Sequence, residues 1–213
     1  GNSTYNNFNS ITAAGDDNLT YPIGGSDTTF DVDVSANNFA CVMFLKTHVD
    51  STADQWLINL GRQGEANTWT LRTSSGLGLI IAQAAVITTY IPSIAVNTSY
   101  IIAVGSDTGG GVDSAFARIN GTDITPLSGG TTVDILPDQI MIMNQDNALT
   151  ATPFLGEMYE IIWFKQSGVD TTIFTTAIEK IEGYLAHKYL VTGALPAAHP
   201  YKTNPPRVSP VGV

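Results

Sequence analysis

From residue 29 onward the chain is written in short apolar runs separated by Gly, Asn, Asp or Pro. The runs cover residues 30–34, 39–46, 55–60, 68–73, 77–82, 86–91, 100–104, 115–119, 139–143 and 158–164. Such lengths, rich in Val, Ile, Thr and aromatic residues, predict strands. Regular spacing without helical segments between them predicts an antiparallel all-β sandwich or barrel rather than βαβ units. Asn120-Gly121, set between 115–119 and 123–125, predicts a tight hairpin. Residues 1–28 are polar and turn-rich, and are expected to form an arm, a linker stub or an irregular first strand ahead of one domain spanning 29–213.

Residues 170–190 break the pattern. Apolar positions at Ile173, Phe174, Ala177, Ile178, Ile181, Tyr184, Leu185 and Tyr189 recur at helical spacing. Asp170 or Thr171 can cap the N-terminus, and His187 with Lys188 sit where the helix dipole favours positive charge. Gly193 and Pro196 supply the stop, and residues 191–213 form a Pro-rich tail. Phe174, Ile178, Ile181 and Leu185 are the face expected to pack on the outside of a sheet. The stretch 77–96 has no charge and the length of a membrane-spanning helix. Its Gln83, Thr88, Thr89, Tyr90, Pro92 and Ser93, with many β-branched neighbours, predict buried strands instead.

Composition narrows the function. The 213 residues carry 19 acidic and 9 basic side chains, a formal charge of −10, which argues against nucleic acid and anionic membrane surfaces as partners. The acidic excess lies in residues 1–164, with 16 acidic and 4 basic groups, whereas 165–213 carry 3 and 5. Charged residues make up 13% of the chain, and solubility rests on hydroxyls and amides, a usage common in all-β proteins outside the cytoplasm. The lone Cys41 excludes a disulfide framework, and its apolar surroundings predict an inert buried thiol. No Met precedes Gly1, which reads as a processed chain or a piece of a longer one.

Catalytic signatures are sparse. There is no Gly-x-Ser-x-Gly elbow, and His48, His187 and His199 are scattered. A glycosidase needs two carboxylates on one face. Glu157 and Glu160, three apart on one strand, are expected on opposite faces. Asp31 and Asp33 share a face but read as the solvated side of a strand. Hard oxygen ligands for Ca²⁺ gather on two loops, Asp107 with Asp113, and Asn144 with Asp146. Asp107, Asp113 and Asp146 are the carboxylates such an ion would use. The same four residues are the candidate acceptors for sugar hydroxyls, and Trp56 and Trp69 are candidate stacking platforms. Trp163, inside an apolar run, is expected in the core.

The run Gly156-Glu157-Met158-Tyr159-Glu160-Ile161-Ile162-Trp163-Phe164 resembles the last strand of concanavalin A-like lectin/glucanase (laminin-G-like) jelly rolls. Ile181-Glu182-Gly183-Tyr184-Leu185-Ala186-His187-Lys188-Tyr189, followed by Leu195-Pro196 and His199-Pro200-Tyr201-Lys202, resembles the C-terminal helix and tail of such modules in phage virion and bacterial surface proteins. The match covers residues 156–206. It implies a two-sheet antiparallel jelly-roll sandwich with the helix packed on it and a non-catalytic role in glycan binding or adhesion, in a virion (tail fibre, head fibre or decoration) or at a cell surface. The Glu-x-Asp-x-Glu of the glucanase members is missing. A glycan or surface polysaccharide, neighbouring virion or surface-protein subunits, and further copies of the chain are the partners this implies. A purely structural virion protein is the second reading and a glycoside hydrolase the third. Glu182-Gly183-Tyr184 and His199-Pro200-Tyr201 are expected to hold the tail onto the sandwich.

Overall fold

A computed structural model describes residues 11–12, 19–22, 37–48, 54–61, 68–74, 78–83, 86–90, 94–107, 114–124, 139–143, 154–168 and 170–207. These form two six-stranded antiparallel sheets and one helix. Sheet A contains β1 (Ile11–Thr12), β3 (Asn37–Thr47), β8 (Ser99–Asp107), β9 (Ser114–Ile119), β10 (Thr122–Ile124) and β12 (Gly156–Ser167), in the order β1-β12-β3-β8-β9-β10. Sheet B contains β2 (Leu19–Pro22), β4 (Gln55–Leu60), β5 (Trp69–Thr73), β6 (Leu79–Gln83), β7 (Val86–Tyr90) and β11 (Gln139–Ile142), in the order β2-β11-β4-β5-β6-β7. The helix α1 spans Thr171–Lys188. The expected β-sandwich with a C-terminal helix is the fold observed. Residues 30–34, with Asp31 and Asp33, lie outside the described residues.

Alternation decides what each face of sheet A buries. Phe39, Cys41, Met43 and Leu45 of β3 enter the core between the sheets, with Leu57, Leu60, Leu71, Leu79 and Ile81 opposite them. Phe39 stacks on Trp163 at 5.2 Å and meets Trp69 edge-on at 5.7 Å, so Trp163 takes its expected place against the core. Burial pushes the Cys41 thiol up to about 12, which keeps it protonated and inert. The other face of β3 presents Ala40, Val42 and Phe44, which pack with Phe174, Ile178 and Leu185 of α1. Ile181 packs at the margin of the same cluster. β3 is therefore buried on both faces, which explains its unbroken apolar sequence.

The Asp170 carboxylate caps α1, accepting from the backbone N–H groups of Thr172 at 3.0 Å and Ile173 at 3.1 Å. At the other end Leu190, with φ 58°, takes the left-handed position that glycine usually fills. Residues 11–12 and 19–22, in the stretch read as an arm, a linker stub or an irregular first strand, pair with β12 and β11 and supply one edge strand to each sheet. One expectation, about β12, is corrected. A bulge at Tyr159 shifts the β12–β3 register, so that Glu157 lies opposite Lys46 and Glu160 opposite Phe44. Both glutamates thus share the outer face, because the extra residue reverses the alternation.

Candidate functional site

The turn after β9 positions the best-defined polar cluster. Asn120 (φ 51°) and Gly121 (φ 78°) adopt the left-handed pair that a two-residue hairpin needs. Arg118 on β9 then stands opposite Asp123 on β10, with 2.7 Å between Nη1 and Oδ1. Glu182 of α1 meets Arg118 bidentately, Nε to Oε1 at 2.9 Å and Nη2 to Oε2 at 3.1 Å. Glu182 is fully buried and its Oε2 lies 3.2 Å from His199 Nε2. Burial alone would make Arg118 less basic, but the hydrogen bond and charge of Glu182, with Asp123 and Glu179, outweigh it and hold the guanidinium charged.

Close approach completes this clasp. A Cβ on Gly121 would stand 2.7 Å from His199 Cδ2, and one on Gly183 would stand 2.4 Å from Tyr201 Cβ. His187 Nε2 is 2.9 Å from the Tyr201 carbonyl oxygen, and the Lys202 ammonium donates to the carbonyls of Thr192, Gly193 and Leu195. The two C-terminal motifs therefore hold the tail, through Glu182 and Gly183 on one side and His199 and Tyr201 on the other.

Beside the clasp, between sheet A and α1, lies a cleft of about 250 Å³. Asp107 at the end of β8, Phe116 and Arg118 on β9, and Asp123 on β10 form one wall. Phe174, Thr175 and Ile178 on the first turns of α1 form the other. Asp123 is 83% exposed at its side chain, so the cleft carries carboxylate oxygens at an open rim over an aromatic floor. Phe116 and Phe174 meet edge-on at 5.6 Å.

Of the predicted site residues, Asp107 lines the cleft, at the end of β8 beside the start of β3, since Ser106 pairs with Phe39. Asp113, Asn144 and Asp146, and the calcium and sugar calls drawn through them, lie outside the described residues. Among the described residues, no three His, Cys, Asp or Glu side chains gather as metal ligands.

The two tryptophan platforms are corrected. Trp69 is 1% exposed and locked between Phe39 and Trp163, so neither ring face can meet a sugar. Trp56 is buried, with the Arg72 guanidinium 4.9 Å above its ring and Asp54 Oδ2 2.7 Å from Arg72 Nη1. Glu157 and Glu160, although on one face, are each committed elsewhere. Glu157 pairs with His48 Nε2 at 2.9 Å and accepts from the Tyr159 hydroxyl. Glu160 takes Lys188 Nζ at 2.8 Å, with the hydroxyls of Tyr184 and Tyr189 at 3.2 Å. Arg118, Asp123 and Thr175 were missed because their convergence depends on the docking of α1. The only local signal was Arg118 beside the Asn120-Gly121 turn.

No protein-family model matches the chain, and no curated protein matches it in sequence. Solved structures do match in three dimensions. The CBM40 of the Ruminococcus gnavus IT-sialidase, bound to α2,3-sialyllactose, superposes with TM-score 0.57 at 14% identity, covering 79% of this chain and 95% of that one. The Trypanosoma rangeli sialidase in complex with sialic acid gives TM-score 0.60 at 14% identity. It covers 84% of this chain, which spans 28% of the sialidase. The likeness is one of fold. It shows that the two-sheet β-sandwich architecture is shared with these proteins.

Proposed function

We propose that the chain is a non-catalytic carbohydrate-binding module that takes its glycan in the cleft between β8, β9, β10 and α1. The observation that carries this is the composition of that cleft. A pyranose offers hydroxyls that need acceptors and a C–H face that needs an apolar wall. Asp107, Asp123 and Thr175 supply the first, and Phe116 supplies the second. Among the described residues, α1 and Leu195 cover Ala40, Val42, Phe44, Ile101 and Ala103 on the outer face of sheet A. The fold supports the reading, since a CBM40 of the same architecture is bound to sialyllactose. We extend it to adhesion on a virion or bacterial surface from the resemblance of residues 156–206 alone.

A glycan array with the parent chain and with Asp107→Asn and Thr175→Val tests this. At least one glycan should bind the parent and bind both variants at least about tenfold more weakly, a loss of about 1.4 kcal/mol, with unchanged melting temperatures. A blank array and no binding to bacterial surface polysaccharide would overturn it in favour of a packing role. Equal binding by parent and variants would overturn the cleft as the site.

A further inference from the structure

The cleft beside the clasp has an excess of negative charge. Of the residues lining it, Asp107 and Asp123 are acidic and Arg118 is the one base. That base is already committed. Nε and Nη2 hold the two oxygens of Glu182, Nη2 also donates to the Gly121 carbonyl at 3.0 Å, and Nη1 donates to Asp123. These bonds use four of the five N–H groups of a guanidinium. Only 7% of the Arg118 side chain is exposed, and Glu179 stands 4.0 Å from Nη2 as a further carboxylate. A sugar acid is held by a cation or a pair of free donors. This cleft has neither to give.

We propose that the cleft selects sugars by charge, ranking one with a free amine above a neutral one and rejecting sugar acids, with Asp107 and Asp123 setting the order. This rests on the cleft being the glycan site. Asp123 is the main determinant, because its side chain is 83% exposed although its Oδ1 already takes Arg118 at 2.7 Å. A protonated amine brings donors only, which suits carboxylate oxygens that accept only. A sugar hydroxyl makes the same bond without charge, and charge-assisted bonds are about twice as strong. A sugar carboxylate instead sets like charge against like, the arrangement that excludes wrong partners at interfaces. The chain's formal charge of −10 favours the approach of a cationic ligand in the same sense.

The test is an array that carries each oligosaccharide in three forms: neutral, with a free 2-amine, and capped by a uronic or sialic acid. It is read at about pH 6, where amines are protonated and carboxyls ionised. The parent should bind the amine form at least about tenfold more tightly than the neutral form, and the acid form at least about tenfold more weakly. Asp107→Asn and Asp123→Asn should each bring the amine-to-neutral ratio towards one. Salt raised from about 50 mM to about 500 mM should shrink the ratio in the parent. An acid form bound as well as the neutral one, or a ratio that neither salt nor the aspartate variants change, would overturn the selectivity. The cleft would still stand as the site if Thr175→Val weakened every form. Binding untouched by Thr175→Val would overturn both the cleft and the selectivity, and a blank array would overturn the carbohydrate reading with them. Melting curves check that the variants fold, and the salt series on the parent decides if they do not.

Discussion

Replacing Glu182 by glutamine removes one charge and almost no volume from the clasp. Glu182 is wholly buried, with 1% of the His199 side chain and 7% of the Arg118 side chain exposed. His199 Nδ1 accepts from the Tyr201 N–H, so its Nε2 must donate to Glu182. The carboxylate thus faces donors from two sides, Arg118 and His199, and accepts from both. A glutamine has one oxygen and one NH₂ group, so one of these partners would meet a donor. Breaking a buried ion pair from one side costs about 3–5 kcal/mol. Asp123 at 2.7 Å and Glu179 at 4.0 Å still face the guanidinium, which places the loss near the lower end. At roughly 2–4 °C per kcal/mol for a chain of this size, about 3 kcal/mol lowers the melting temperature by about 6–12 °C. Calorimetry of Glu182→Gln beside Glu179→Gln, whose side chain is 27% exposed, reads the difference. If the two variants melt together, the clasp does not hold the helix and tail.

Gly183→Ala should lower the melting temperature although alanine is the better helix former by about 1 kcal/mol, because the added Cβ would stand 2.4 Å from Tyr201 Cβ. A rise on calorimetry would mean that the tail is not seated there. The Tyr159 hydroxyl, and after it the charges of His48 and Lys46, hold the Glu157 carboxyl below the usual range against the opposing effect of burial. Its contribution to stability is complete above the ordinary glutamate value of about 4.3 and is lost as the pH falls through the depressed one. Urea unfolding from pH 6 to pH 2 should accordingly show a shallower acid limb in Glu157→Gln, and parallel limbs would show that the pair contributes nothing.

Most of the scaffold was legible in the chain. The runs at 55–60 and 86–91 became β4 and β7, and the run at 39–46 became β3. Asp170 caps the expected helix, and the stretch 77–96 yields β6 and β7 rather than a spanning helix. Features set by a single residue or by tertiary contact were not legible. Nothing in Met158-Tyr159-Glu160 distinguishes a bulge from a regular strand, yet the bulge moves Glu160 to the helix side, where Lys188 and Tyr189 hold it. Trp69 and Trp56 read as platforms because alternation does not say which indole the opposite sheet or a neighbouring arginine will cover. Asp107 was read as a loop acceptor beside Asp113, whereas its neighbours around the cleft come from β9, β10 and α1, which only the docked helix brings together.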